Sequence, residues 1–175
     1  MAALDVDLAI HNRLWALIEA DAGLQAALGA QIKGTDTDRL IRDRAASMPG
    51  QFPKIVIEHN GGTEHSNPPS TFGQSGGGAS VCDYAVPMVR RFAIRVVYDR
   101  LELSQQTPTE AMLRRAIFAS GRSLGAGNTL RVSNVSITAE RRDEISALTG
   151  GTKRPVLSLM VTVSCRPLLS ALTAA

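Results

Sequence analysis

The densest set of chemistry-bearing side chains in the sequence is the run Glu140, Arg141, Arg142, Asp143, Glu144, followed by Lys153 and Arg154 beyond the Gly150-Gly151 pair. Carboxylates beside guanidinium groups can act as acid, base and anion clamp. Catalytic carboxylates, however, need burial or a close like charge to shift their pKa. The run sits at the tip of an expected hairpin, where such groups are usually solvated. It therefore reads as solvated or interfacial, and contact with a neighbouring molecule is the expectation. GQSGG at 73–77 matches the G-x-S-x-G nucleophile elbow, but Asn-Pro-Pro-Ser precedes it and Gly-Gly-Ala-Ser follows. The elbow needs a strand before the serine and a helix after it, so Ser75 reads as linker. His59, His65 and Cys82 complete no metal-ligand spacing, and with His11 they read as surface or interface histidines and a lone thiol. Neither GGTE nor GAGN has the strand-turn-helix order of a phosphate cradle. No catalytic residue, metal or cofactor is expected.

The elements that position these residues follow from periodicity. In LDVDLAIHNRLWALIEADAGLQAALG, the residues Val6, Ile10, Leu14, Leu17 and Ile18 form one helical stripe. Asp5 or Asp7 can cap its start, Asp21 can cap a second short helix, and Gly29 can end it. The segment 34–51 alternates acids and arginines and reads as an exposed connection. FPKIVIEH predicts a short strand with Ile55 and Ile57 on one face. VPMVRRFAIRVVYDRL predicts a clear strand, with Phe92, Ile94, Val96 and Tyr98 alternating with Arg91, Ala93, Arg95 and Val97. TPTEAMLRRAIFASGRSLGAGN predicts a helix beginning at a Thr107/Glu110 capping box, with Pro108 in its first position and Gly125 at its end. Two long strands close the chain. One is LRVSNVSITAERR. The other is RPVLSLMVTVSCRP, with Leu157, Leu159, Val161, Val163 and Cys165 on the core face. The Gly pair between them marks a hairpin turn, which places the charged run at its tip.

The chain has 175 residues and is 44% hydrophobic and 20% charged. That suits a single domain, 1–175, with a real core. The expected class is α+β: one mainly antiparallel sheet packed by an N-terminal helix and a helix between strands. Residues 60–87, rich in Gly and Pro, read as an extended arm or loop. No apolar run is long enough for a membrane span, and MAALDVDLAI carries acids where an export signal would carry bases. The net charge is +3, with 16 Arg against 3 Lys. Such arginines suit planar hydrogen bonding across protein interfaces or onto phosphates. Aromatic residues make up only 4% of the chain, too few for a base-stacking platform. Arg91, Arg95 and Arg131 on strand faces are therefore read as subunit contacts rather than nucleic-acid contacts, and Arg141 and Arg142 at the hairpin tip as contacts to a neighbouring subunit or a partner surface.

HNRLWALIEADAGLQAALGAQI, FPKIVIEH, RRFAIRVVYDR, the capped helix and the closing pair LRVSNVSITAERRDEI and VLSLMVTVSCRP together resemble the tail terminator (tail completion) proteins of long-tailed bacteriophages. The resemblance covers about three quarters of the chain and consists of pattern and order rather than an invariant signature. It implies a small α+β subunit forming a homo-oligomeric ring, usually a hexamer, at the head-proximal end of the tail tube in the virion. Its implied partners are the tail tube protein, the head-tail connector or adaptor, and DNA passing through the lumen without sequence-specific binding. The family offers no catalytic residues to carry over. The long glycine-rich arm and the LLSALTAA ending depart from its pattern and leave a head-tail adaptor role as an alternative. A nucleic-acid-binding domain and a hydrolase using Ser75 or Cys82 are the rival classes.

Overall fold

The computed structural model describes residues 4–28, 54–64, 87–98, 103–119, 124, 129–146 and 149–167. Their order is α1 (Val6–Ala20), α2 (Ala22–Leu28), β1 (Lys54–Glu64), β2 (Met88–Val97), α3 (Leu103–Ala119), β3 (Leu130–Glu144) and β4 (Arg154–Pro167). The strands form one sheet in the order β1-β2-β4-β3, antiparallel throughout. The class is α+β, as the alternation of helical and strand periods predicts.

The core lies between one sheet face and the helices. The register sets Ile57, Ile94 and Leu159 in a row across three strands, and Ile55, Val96 and Leu157 in the next. These side chains are buried with Ile10, Leu14 and Ile18 of α1 and Leu113 and Ile117 of α3. Asp5 caps α1 by accepting from the Leu8 amide at 3.0 Å, and Asp21 caps α2 by accepting from the Leu24 amide at 3.0 Å. Val56, Val97 and Val156 point the other way and form a small separate cluster on the opposite face.

Four expectations change. First, β1 does not stop at His59 but runs on through Asn60–Glu64, which the composition had assigned to the arm. The register shifts between His59 and Gly62, with Gly61 at φ 78°. At Gly62 a Cβ would collide with the Val89 carbonyl, so the close approach of the two backbones requires glycine. The rest of the arm, 65–86, lies outside the described residues, as do Gly29, 34–51, His65, Ser75, Cys82 and Gly125. Second, α3 begins at Leu103 and carries Pro108 inside it, so Thr107 is not its N-cap. Glu110, the other half of the expected capping box, is instead taken by two arginines. Proline lacks the amide that would bond one turn back, which makes the first turn of α3 its weakest. Third, His11 is a core residue, buried with its Nε2 3.2 Å from the Ile57 carbonyl. Fourth, the charged run is not the hairpin tip. Glu140–Glu144 stays in the ladder, opposite Ser158–Arg154.

Candidate functional site

Strand alternation splits the charged run between the two sheet faces. Arg141 lies on the helix side, where its Nη2 donates to Glu110 Oε2 at 2.6 Å. From α3 itself, Arg114 Nε donates to Glu110 Oε1 at 2.9 Å, and Arg114 Nη1 donates to the Ile137 carbonyl at 3.1 Å. Burial alone would raise the Glu110 carboxyl. The hydrogen bonds and charges of Arg114 and Arg141 outweigh it and hold the group below its ordinary value. The cluster fastens α3 to β3. Nearby, burial raises the Tyr98 phenol, opposed by the Thr109 hydroxyl and the Arg141 charge.

Glu140, Arg142 and Glu144 occupy the other face, with Arg95 and Arg91 of β2. Arg142 pairs with Glu144 at 3.3 Å and with Glu140 at 3.9 Å. Arg95 pairs with Glu58 of β1 at 3.4 Å and with Glu144 at 3.7 Å. The result is a chain of alternating sign, Glu58, Arg95, Glu144, Arg142, Glu140, laid across the sheet. Most of these charges are answered within the subunit, so the face offers a partner a pattern rather than a block of positive charge. Arg91 is exposed on this face, opposite Thr162.

Asp143 pairs with Lys153 at 3.2 Å and ties the two ends of the hairpin together. The turn beyond them is built on Ser146 and Thr149. The buried Thr149 hydroxyl accepts from the Ser146 amide at 2.9 Å and donates to the Ser146 carbonyl at 3.0 Å. The Gly151 amide donates to the same carbonyl at 2.9 Å, and Arg154 Nε donates to the Thr149 carbonyl at 3.1 Å. Gly150 and Gly151 take φ of 68° and 75°, the left-handed values the pair was expected to supply. This turn holds Ile145 67% exposed.

Sequence reasoning missed one polar cluster altogether. Asp7 Oδ1 meets Arg90 Nε at 2.9 Å and His59 Nε2 at 3.4 Å, joining the start of α1 to β1 and β2. The His59 ring also lies tilted against Phe92, with centroids 5.3 Å apart. The only signal was that His59 continues the Ile55, Ile57 side of β1. Asp21, found as a cap, also receives Arg115 Nη2 at 3.1 Å. Burial would raise its carboxyl, and the Leu24 amide and Arg115 more than offset this, so its pKa is lowered.

Burial pushes the Cys165 thiol up to about 11, so it is a core side chain and not an available thiolate. Among the described residues, no group of three or more His, Cys, Asp or Glu is placed to hold a metal ion. None of the described helices is long and apolar enough to cross a membrane. No protein-family model matches the chain, and no curated protein sequence matches it.

Proposed function

We propose that this chain is a non-enzymatic virion structural protein. In this reading it forms a ring, hexameric by the resemblance, at the head-proximal end of a phage tail tube. There it ends tube polymerisation and joins the tail to the head connector, and DNA passes through the lumen. The observation that carries the reading is the β3–β4 hairpin, whose β3 strand is mostly exposed and whose turn is closed by hydrogen bonds between Ser146 and Thr149 next to an exposed Ile145. A turn presenting an apolar side chain, beside a face patterned in both signs of charge, suits a protein-protein contact. A ring of identical subunits needs two different surfaces that meet head to tail. The hairpin turn with Lys153 and Arg154 supplies one, and the exposed part of the sheet face opposite the helices, around Arg91 and Arg142 with the half-buried Arg95 beside them, supplies the other.

The test is the copy number of the protein in isolated tails, together with its mass in solution. One ring per tail at the head-proximal end is the expected result. Many copies distributed along the tube, or a strict monomer absent from particles, would overturn the reading.

A further inference from the structure

The sheet has two edges, and they are treated differently. At β1, Ile55, Val56 and Ile57 are buried, the Ile57 carbonyl meets His11, and the strand beyond is broken by the irregularity at Asn60–Gly62. That edge is closed to a further strand. At β3, exposure is nearly continuous: Arg131, Ser133, Asn134 and Ser136 are exposed, and so is every residue from Thr138 to Asp143. A bulge at Ser133 protects one end of this strand, and the charges from Glu140 onward protect the other. Between them lies Asn134-Val135-Ser136-Ile137-Thr138-Ala139, a charge-free window rich in β-branched residues on an open edge.

We infer that this window is a pairing edge for a second copy of the same chain, joined antiparallel about a two-fold axis through Ile137. The occupant follows from the edges: with β1 closed, the edge that identical copies can share is β3 against β3, an isologous contact. The register follows from the charges. Centring the pair on Ile137 sets Ser136 opposite Thr138, Val135 opposite Ala139 and Asn134 opposite Glu140 of the second copy. Further out it brings Arg131 toward Asp143, and it places no like charges opposite one another. Moving the axis by one residue, to Ser136, would bring Arg131 against Arg141. The partly buried Val135 and Ile137 would gain cover on their open side.

A second observation points to the same edge. Phe118 is 49% exposed on α3. It lies one turn from Arg114, the residue that reaches Ile137, and so sits on the side of the helix bordering this edge. Edge pairing brings the two copies of α3 near each other beneath a continuous sheet and covers both Phe118 rings. This contact differs in symmetry from the head-to-tail contact of a ring, so it stands or falls separately from that proposal.

Sedimentation equilibrium on the full chain reads it directly, with circular dichroism as the fold control. The wild type is expected to dimerise. Ser136→Lys with Thr138→Lys sets lysines opposite lysines in this register, and should weaken the dimer about tenfold or more. Ser136→Lys with Thr138→Glu sets opposite charges across the axis and should restore or tighten it. Both pairs are exposed in the single subunit, so both variants should fold. A monomeric wild type overturns the inference, as does a dimer that responds equally to both variants.

Discussion

β3 and β4 are the two arms of one hairpin, paired from Leu130–Pro167 to Glu144–Arg154, yet they have opposite characters. β4 has neighbours on both sides, and its Leu157, Leu159, Val161 and Val163 are wholly buried. β3 has β4 on one side, and its outward residues are Ser, Thr, Asn, Glu and Arg. Here β4 carries the stability of the sheet and β3 carries its surface. Both follow from strand position: a central strand must be apolar on its core face, whereas an edge strand inherits its register from its neighbour and is freer in its own composition. The same logic explains the bulge. Without the extra residue at Ser133, Val132 would point away from Val135 and Ile137. With it, all three pack against the core.

The contrast is sharpest under truncation. Leu159→Ala removes a fully buried side chain from the central strand and should cost about 2–5 kcal/mol in denaturant unfolding. An equal loss from a β3 side chain outside the helix contact would show that the two strands are not divided as described. An exposed, unimportant Leu159 would show the register of β4 to be off by one.

Among the charged residues of β3, Arg141 is the one that reaches the helix layer, through Glu110. Arg141→Glu loses the 2.6 Å bond to Glu110 and sets a second carboxylate beside it. A cost of about 1–2 kcal/mol is expected, below that of a buried pair because the Arg141 side chain is 36% exposed. The same cluster makes a pH prediction. Because the folded-state Glu110 pKa is depressed, its contribution is fully present above the ordinary 4.5 and is lost as pH falls through the lower folded value. The stability gap between wild type and Arg141→Ala should therefore close on acidification below that point. A gap independent of pH would assign the loss to packing.

A smaller effect belongs to the turn. Thr149→Val keeps the volume but removes the hydroxyl that both accepts from the Ser146 amide and donates to its carbonyl. About 1–2 kcal/mol is expected, because a part-buried amide loses its partner. Faster hydrogen exchange at Ser146, with β4 unchanged, would locate the loss in the turn.

How much of this was legible in the sequence depends on whether a residue's role was local. The stripe of α1, the caps Asp5 and Asp21, the alternation of β2 and β4 and the Gly150-Gly151 turn all follow from neighbours in sequence. The continuation of β1 through Asn60–Glu64 did not, because Asn-Gly-Gly-Thr-Glu has no apolar period and is held in place by β2. His11 was unreadable for the same reason: its reason for being buried is a carbonyl 46 residues away. The candidate contact residues were found by type and composition, but their partners were not. Nothing in the order Glu-Arg-Arg-Asp-Glu says that Arg141 and Arg142 face opposite sides of a sheet until the strand is known to continue through them. Reversing both together therefore mixes a structural change with a surface one, and the two must be separated.

Arg142→Glu makes the separation. The side chain is 47% exposed on the open face, and its partners Glu144 and Glu140 lie on the same strand. Reversal leaves three carboxylates in line on that face, although Glu144 keeps Arg95 as a partner at 3.7 Å. Exposed pairs contribute little, so a change of no more than about 1 kcal/mol is expected, the smallest of the series. If the open face is the surface met by a ring neighbour, the effect on assembly should be disproportionate. A partner matched to alternating charge now meets like charge, which costs specificity and association rate more than it costs the fold. In assembly assays the variant should fold normally but give tails of uncontrolled length, or tails that fail to join heads, while Arg141→Glu fails through stability first. Normal tails with Arg142→Glu would make the open-face charges a solvated lattice serving the subunit alone. The contact surface would then have to be the turn around Ile145.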